Sequence, residues 1–170
     1  MPHTIRIMHV EQDADLAAIR ALFAEYQTSL GDFDSETARI DAEVAGLPGE
    51  YAPPRGRLLL ALVGASAAGC IALRPHADDA CEMKRLYVRP DFRGQGLARR
   101  LCDMLIAEAR AAGYARMLLD TLPSMGSAQG LYADLGFRDI SAYLPDRAPD
   151  TRFMELVLGD RRRPTRAGAP

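Results

Sequence analysis

The sequence predicts a mixed α/β fold, a central mixed sheet of about seven strands flanked by about four helices. Three observations carry the prediction. Strand-like and helix-like hydrophobic periods follow one another in the order β-α-α-β-β-β-α-β-α-β-β, with no internal repeat. Two apolar runs, RLLLALV at 57–63 and AGCIAL at 68–73, flank Gly64-Ala65-Ser66-Ala67 and read as a β-hairpin. Residues 82–113 pass from a β-prone run through a turn with two glycines into a strongly periodic helix. The 170 residues suit one domain, placed at 4–158, long enough to bury a substantial core.

Taken in order, Ile5 and Ile7 alternate with polar neighbours across 4–10, a first strand. Leu16, Ile19, Leu22, Phe23 and Tyr26 then fall on one helical face, with Asp13 or Asp15 as the cap. Gly31 interrupts that pattern. A second helix is expected at 35–47, capped by Ser35, with a weak stripe of Ala38, Ala42, Val44 and Ala45 and an end at Leu47-Pro48-Gly49. The proline-rich segment 50–56, EYAPPRG, is excluded from regular structure. After the hairpin, a connection at 75–79 leads into a central strand in which Leu86, Tyr87 and Val88 are closed by Arg89-Pro90. Leu97, Leu101, Met104 and Leu105 give the next helix its apolar face, and Gly113 closes it. A strand at 115–121 and a short helix at 124–135 follow. That helix turns Ala128, Leu131, Tyr132 and Leu135 inward and is stopped by Gly136. Final strands are expected at 137–143 and 152–158. Residues 159–170, GDRRRPTRAGAP, lack periodicity and read as a disordered basic tail.

Bulk properties exclude several classes. A net charge of −2 and a pI near 5.9 give no electrostatic reason to expect nucleic acid as the main partner. No run of eighteen apolar residues and no apolar leader segment occurs, so no membrane partner is expected and the cytoplasm is the expected location. Three cysteines without metal-like spacing read as reduced, buried, inert thiols. His3, His9 and His76 are scattered and suggest no metal site.

The turn Arg93-Gly94-Gln95-Gly96-Leu97-Ala98 stands between strand and helix, where free backbone N–H groups and the helix dipole attract phosphate. A Cβ at Gly94 or Gly96 would hold such an anion away from the backbone, and Arg93 and Arg99 add mobile positive charge. The local reading is a pyrophosphate cradle. A dinucleotide fingerprint would need a third spaced glycine, although Asp120 lies at a tolerable distance, and a Walker loop would need Gly-Lys-Ser/Thr. An ordinary glycine turn is the alternative on the turn alone.

At these residues the chain resembles the GCN5-related N-acetyltransferase (GNAT) family. The family's acyl-CoA signature, Arg/Gln-x-x-Gly-x-Gly/Ala, is matched by Arg93, Gly96 and Ala98, and its Val-x-Pro-plus-aromatic preamble by Val88, Pro90 and Phe92. Its later Leu-Tyr-x-x-x-Gly-Phe element appears as Leu131, Tyr132, Gly136 and Phe137, in the family's order and at about its spacing. The resemblance implies an acyl-CoA N-acyltransferase fold whose central strand splays from the next one. It implies acetyl-CoA as co-substrate, with Leu86, Tyr87 and Val88 along the pantetheine arm and the amides of Gly94, Gln95, Gly96, Leu97, Ala98 and Arg99 on the pyrophosphate. One departure stands out: the family's frequent asparagine at the start of the short helix is Met125 here, with Ser124 or Ser127 as substitutes.

Acetyl transfer from a thioester needs a neutral amine and a proton for the departing sulfur. By resemblance Tyr132 is the candidate acid and Glu82 the candidate base. Tyr132 read alone is a core aromatic, and Glu82 a strand-start glutamate paired with Lys84 or Arg85; Asp120 is a second candidate base. Strict alternation would put Glu82, Lys84, Leu86 and Val88 on one face, unless a bulge breaks it. Tyr26, Glu50, Tyr51 and Tyr143 are the candidates for touching the acceptor. The expected activity is N-acetylation of a small-molecule or peptide amine by direct attack in a ternary complex, since no cysteine is placed for an acyl-enzyme. The expected partners are that acceptor and a second copy of the chain as a homodimer. The alternatives are a catalytically silent acyl-CoA-binding module and an acetyltransferase toxin acting on aminoacyl-tRNA.

Overall fold

The computed structural model describes residues 3–31 and 34–159, with 34–37 described by their backbone alone. The elements are β1 (Ile5–His9), α1 (Asp13–Leu30), α2 (Asp34–Gly46), a 3₁₀ turn (Gly49–Tyr51), β2 (Arg57–Val63), β3 (Ser66–Pro75), β4 (Ala80–Val88), α3 (Leu97–Ala111), β5 (Arg116–Thr121), α4 (Gly126–Leu135), β6 (Arg138–Ile140) and β7 (Arg152–Val157). The strands form one sheet in the order β1-β2-β3-β4-β5-β7-β6, antiparallel except for the parallel pair β4–β5. This is the mixed α/β architecture the sequence predicts.

Both faces of the sheet are covered, which is why β2 and β3 read as nearly continuous apolar runs. On one face α3 packs Leu97, Leu101, Leu105 and Ile106 against Leu59, Ile71, Met83, Met117 and Leu119. On the other, Ile19, Leu22 and Phe23 of α1 and Ile40 of α2 meet Leu58, Leu60, Cys70, Ala72 and Tyr87. Burying one such aliphatic side chain contributes about 1.5–3 kcal/mol. The inner face of α2 is Ile40 and Val44, continued by Leu47 just past its end, while Ala38, Ala42 and Ala45 are exposed. The expected alanine stripe is therefore corrected: the larger aliphatics decide which face docks.

Several boundaries also move. Ser66 pairs with Val63, so the hairpin turn is only Gly64-Ala65, with Gly64 at φ +61°. Residues 49–51 wind into a 3₁₀ turn inside the segment expected to be irregular. Asp15, not Asp13, closes the start of α1, its carboxylate accepting the N–H groups of Glu11 at 3.3 Å and Gln12 at 3.2 Å. The strand expected at 137–143 survives only as Arg138–Ile140, ahead of a segment holding two prolines and positive φ at Asp146 and Asp150. α2 starts at Asp34, so Ser35 falls inside the helix and not at the cap expected there, while the tail from residue 160 lies outside the described residues.

Two irregularities of β4 position the site. Its pairing with β5 stops at Glu82↔Leu118, although β4 continues to Val88, so the two strands part. Against β3, Lys84 pairs with Ala72 and Tyr87 with Cys70, leaving Arg85 and Leu86 opposite Ile71 as a bulge. Arg85 takes φ +59° there. The bulge corrects the strict alternation: Glu82, Lys84, Arg85 and Tyr87 face α1 and α2, while Met83, Leu86 and Val88 face α3.

Candidate active site

Gly94 and Gly96 adopt φ +76° and +72°, left-handed conformations that glycine enters without a Cβ penalty. Gly96 is the N-cap of α3 and offers no side chain; the first intrahelical bond there is Arg100 N–H to Gly96 C=O at 3.1 Å. The amides of Leu97, Ala98 and Arg99 are thus left for an outside acceptor. A Cβ built at Gly94 or Gly96 would meet no protein atom within 4 Å, because both positions open onto a cleft of about 530 Å³. All the expected cofactor residues except Gln95 border that cleft; Gln95 is exposed on the turn. Arg93 is not the mobile charge expected of it, since its Nε donates to Val88 C=O at 2.9 Å and its guanidinium lies 5.9 Å from the centre of the Tyr87 ring. Arg99 is half exposed, and Asp103 lies 3.9 Å from its Nε. Across the cleft, α4 and the residues before it supply Ser124, Met125, Ser127 and Ala128.

Where β4 and β5 part, a second cavity adjoins the cleft, the two sharing Leu30, Leu86 and Met125 in their walls. Tyr132 lines it from α4 and is 7% exposed, its ring 5.8 Å from Phe137. Among the described residues its hydroxyl has no hydrogen-bond partner. Burial pushes the phenol well above its ordinary pKa, so it stays protonated at neutral pH and carries a proton into the cavity. Tyr26 borders the same cavity, edge-on to Tyr87.

Glu82 is not brought together with Tyr132. It is 1% exposed, lines neither cavity, and accepts from Arg74 Nε at 2.7 Å and from the Tyr143 hydroxyl at 2.8 Å. Burial and Glu82 together hold the Tyr143 phenol protonated. Tyr51 is buried and donates to Glu43 at 2.8 Å, and Glu50 stands 3.5 Å from Arg74, so Glu50, Tyr51 and Tyr143 surround the Arg74 network rather than the cavity. Asp120 does line the cavity. Burial opposes its ionisation, but Lys84 at 3.3 Å and Arg147 at 3.0 Å outweigh that and hold the carboxyl below its ordinary pKa, which makes it a poor proton acceptor.

Sequence reasoning missed Lys84, Arg147 and the buried pair Arg85–Glu43. Arg85 donates Nε and a second guanidinium N–H to the two oxygens of Glu43, both at 2.9 Å. The only signal available was a run of charges on an otherwise apolar strand, and Arg147 sits in an irregular segment that no periodicity marks. Cys70, Cys81 and Cys102 are buried free thiols, each pushed up to about 12 by desolvation, so none is poised as an acyl-carrying nucleophile. Among the described residues no cluster of three or more His, Cys, Asp or Glu side chains is arranged to hold a metal, and no helix is long and apolar enough to cross a membrane.

Residues 15–137 match the profile of the acetyltransferase (GNAT) family. The chain is 36% identical, over 92% of its length and 97% of the relative's, to an uncharacterised N-acetyltransferase of Schizosaccharomyces pombe. Its fold is similar to the crystal structure of an acetyltransferase from Streptococcus agalactiae, with a TM-score of 0.75 at 24% identity over 90% of this chain and 98% of that one. It is also similar to the PaiA N-acetyltransferase of Thermoplasma acidophilum, solved in complex with coenzyme A, with a TM-score of 0.70 at 15% identity over 91% and 99% of the two chains. An uncapped helix start on a glycine turn, a parted pair of central strands and this family match agree: the chain belongs to the acetyltransferase (GNAT) family and is an acetyl-CoA-dependent acyltransferase.

Proposed function

We propose that the protein transfers an acetyl group from acetyl-CoA to the primary amine of a small molecule or peptide, both substrates being bound together. The observation that carries this reading is the adjacency of the two cavities. The cleft with the free amides of α3 and the cavity lined by Tyr132, whose hydroxyl has no partner among the described residues, share Leu30, Leu86 and Met125 in their walls. The cleft suits the co-substrate: its amides and dipole favour a pyrophosphate, and its apolar walls at Leu86, Val88 and Ala128 favour a flexible arm.

Acetyl-CoA supplies an activated thioester. The chain's own contribution is to hold it, to admit the amine beside it, and to give the departing sulfur a proton from Tyr132. The phenol recovers its proton from the acylated nitrogen through water. Among the described residues no side-chain base touches the cavity in usable form, so the neutral amine comes from the acceptor's own equilibrium with solvent, with a pKa of about 8–10. Glu82 in this reading ties β4 to β3 through Arg74, and to the segment after β6 through Tyr143.

The test is release of CoA thiol from acetyl-CoA with a panel of amino acids, polyamines, aminoglycosides and peptide N-termini, from pH 6 to 10. Amine-dependent release that rises with pH is expected; its absence with every amine, in protein that binds acetyl-CoA, points to a silent binding module. Glu82→Gln should lower the rate evenly across that range. Recovery at high pH in that variant would return Glu82 to the role of base.

A further inference from the structure

We propose that the cavity beside Tyr132 selects an amine that also carries a carboxylate, an α-amino acid being the simplest case, and that Lys84 and Arg147 bind that carboxylate. The inference rests on the acetyl-transfer reading above and names its acceptor class. Lys84 Nζ and Arg147 Nε both lean on one carboxylate, Asp120, at 3.3 Å and 3.0 Å, and the three side chains are 5%, 11% and 11% exposed. Two cations on one anion leave a surplus positive charge in a nearly dry cavity. Neither Lys84 nor Arg147 has a second acceptor among the described residues. Among the described residues no fully buried side-chain nitrogen or oxygen lacks a hydrogen bond, and Arg147 lines the cavity with only its Nε engaged, on Asp120.

The neighbouring charges differ. Arg85 is matched by Glu43, and Arg74 faces Glu82, Glu43 and Glu50, so carboxylates there equal or outnumber the cations. The local excess of cations lies at the Lys84–Asp120–Arg147 group, offset only from a distance by Glu43, whose carboxylate also feels Lys84. A charge only partly compensated in a low-dielectric cavity is costly, and a ligand anion that accepts from Arg147 and Lys84 lowers that cost. Tyr132 lines the same cavity as Lys84 and Arg147, so a short acceptor whose carboxylate is held there keeps its amine in the cavity that Tyr132 borders.

The experiment is calorimetric titration of the full chain, with and without CoA, using matched pairs: L-leucine and isoamylamine, L-phenylalanine and phenethylamine, L-alanine and ethylamine. At least one amino acid is expected to bind ten times or more tighter than its decarboxylated partner. Arg147→Gln, which brings the group to neutrality, should weaken that amino acid by about ten- to a hundredfold and leave the simple amines within about twofold, as expected for charge-assisted bonds. Arg147→Lys should restore part of the preference. No difference within any pair, or a preference unmoved by Arg147→Gln in folded protein, overturns the carboxylate site. Carboxylate-dependent binding without thiol release from acetyl-CoA would sink the transfer reading and leave the site standing. Equal thiol release with acids and simple amines would do the reverse.

Discussion

Tyr132→Phe is expected to slow acetyl transfer by about 10²- to 10⁴-fold while acetyl-CoA affinity stays near wild type, the loss typical of removing a general acid. The substitution keeps the buried ring and its contact with Phe137 and removes only a hydroxyl that no described residue binds. Stability should therefore hold, and turnover and binding separate cleanly. If the tyrosine only packs, the pattern inverts: near-normal turnover in Phe, and a loss of about 3–5 kcal/mol of stability in Tyr132→Ala. Steady-state rates, calorimetric affinity and a urea unfolding curve for the two variants decide between these.

Glu43→Ala should give the largest loss of stability of any single charge removal, about 3–5 kcal/mol, because it strips the carboxylate from a buried pair. Arg85 is 2% exposed and cannot turn to water, since the bulge at φ +59° fixes it between the sheet and α2. Glu43→Leu combined with Arg85→Met should recover most of the loss, as balanced apolar replacement of a buried pair often does. A cost below about 1 kcal/mol for Glu43→Ala would show that the pair does not hold α2 to the bulge. The pH dependence carries a sign. Burial opposes the charge on Glu43, yet Arg85 and Tyr51 outweigh it and lower its pKa from the ordinary 4.5. Its stabilisation is therefore fully present above that value and is lost as pH falls through the lower folded one. The gap between wild type and Glu43→Ala should be constant near neutrality and shrink in acid.

Much of the cofactor side was legible because it is local in sequence. A β-prone run, two glycines and an amphipathic helix are consecutive, so Leu86 through Arg99 could be placed on one turn before any tertiary contact was known. The acceptor side was not legible for the opposite reason. Lys84, Asp120 and Arg147 come from a strand, its parallel neighbour and an irregular segment, 36 residues apart for the first pair and 27 for the second. The bulge at Arg85 turns two consecutive residues, Lys84 and Arg85, toward one face, and no period-two pattern records that. Glu82 illustrates the same limit. Its position in the strand was clear, but its capture by Arg74 and Tyr143 depends on two other segments.

Whether the cleft at the start of α3 holds acetyl-CoA is tested most directly by calorimetric titration of acetyl-CoA into wild type and Gly96→Val. Wild type should bind one molecule per chain. In Gly96→Val the new side chain projects into the cleft, where no protein atom lies within 4 Å, so affinity should fall a hundredfold or more while circular dichroism still reports a folded chain. The φ of +72° will cost a valine some stability, so Gly96→Ala serves as the milder companion and should show an intermediate loss. No binding to wild type, or unchanged affinity in a folded Gly96→Val protein, would contradict the account.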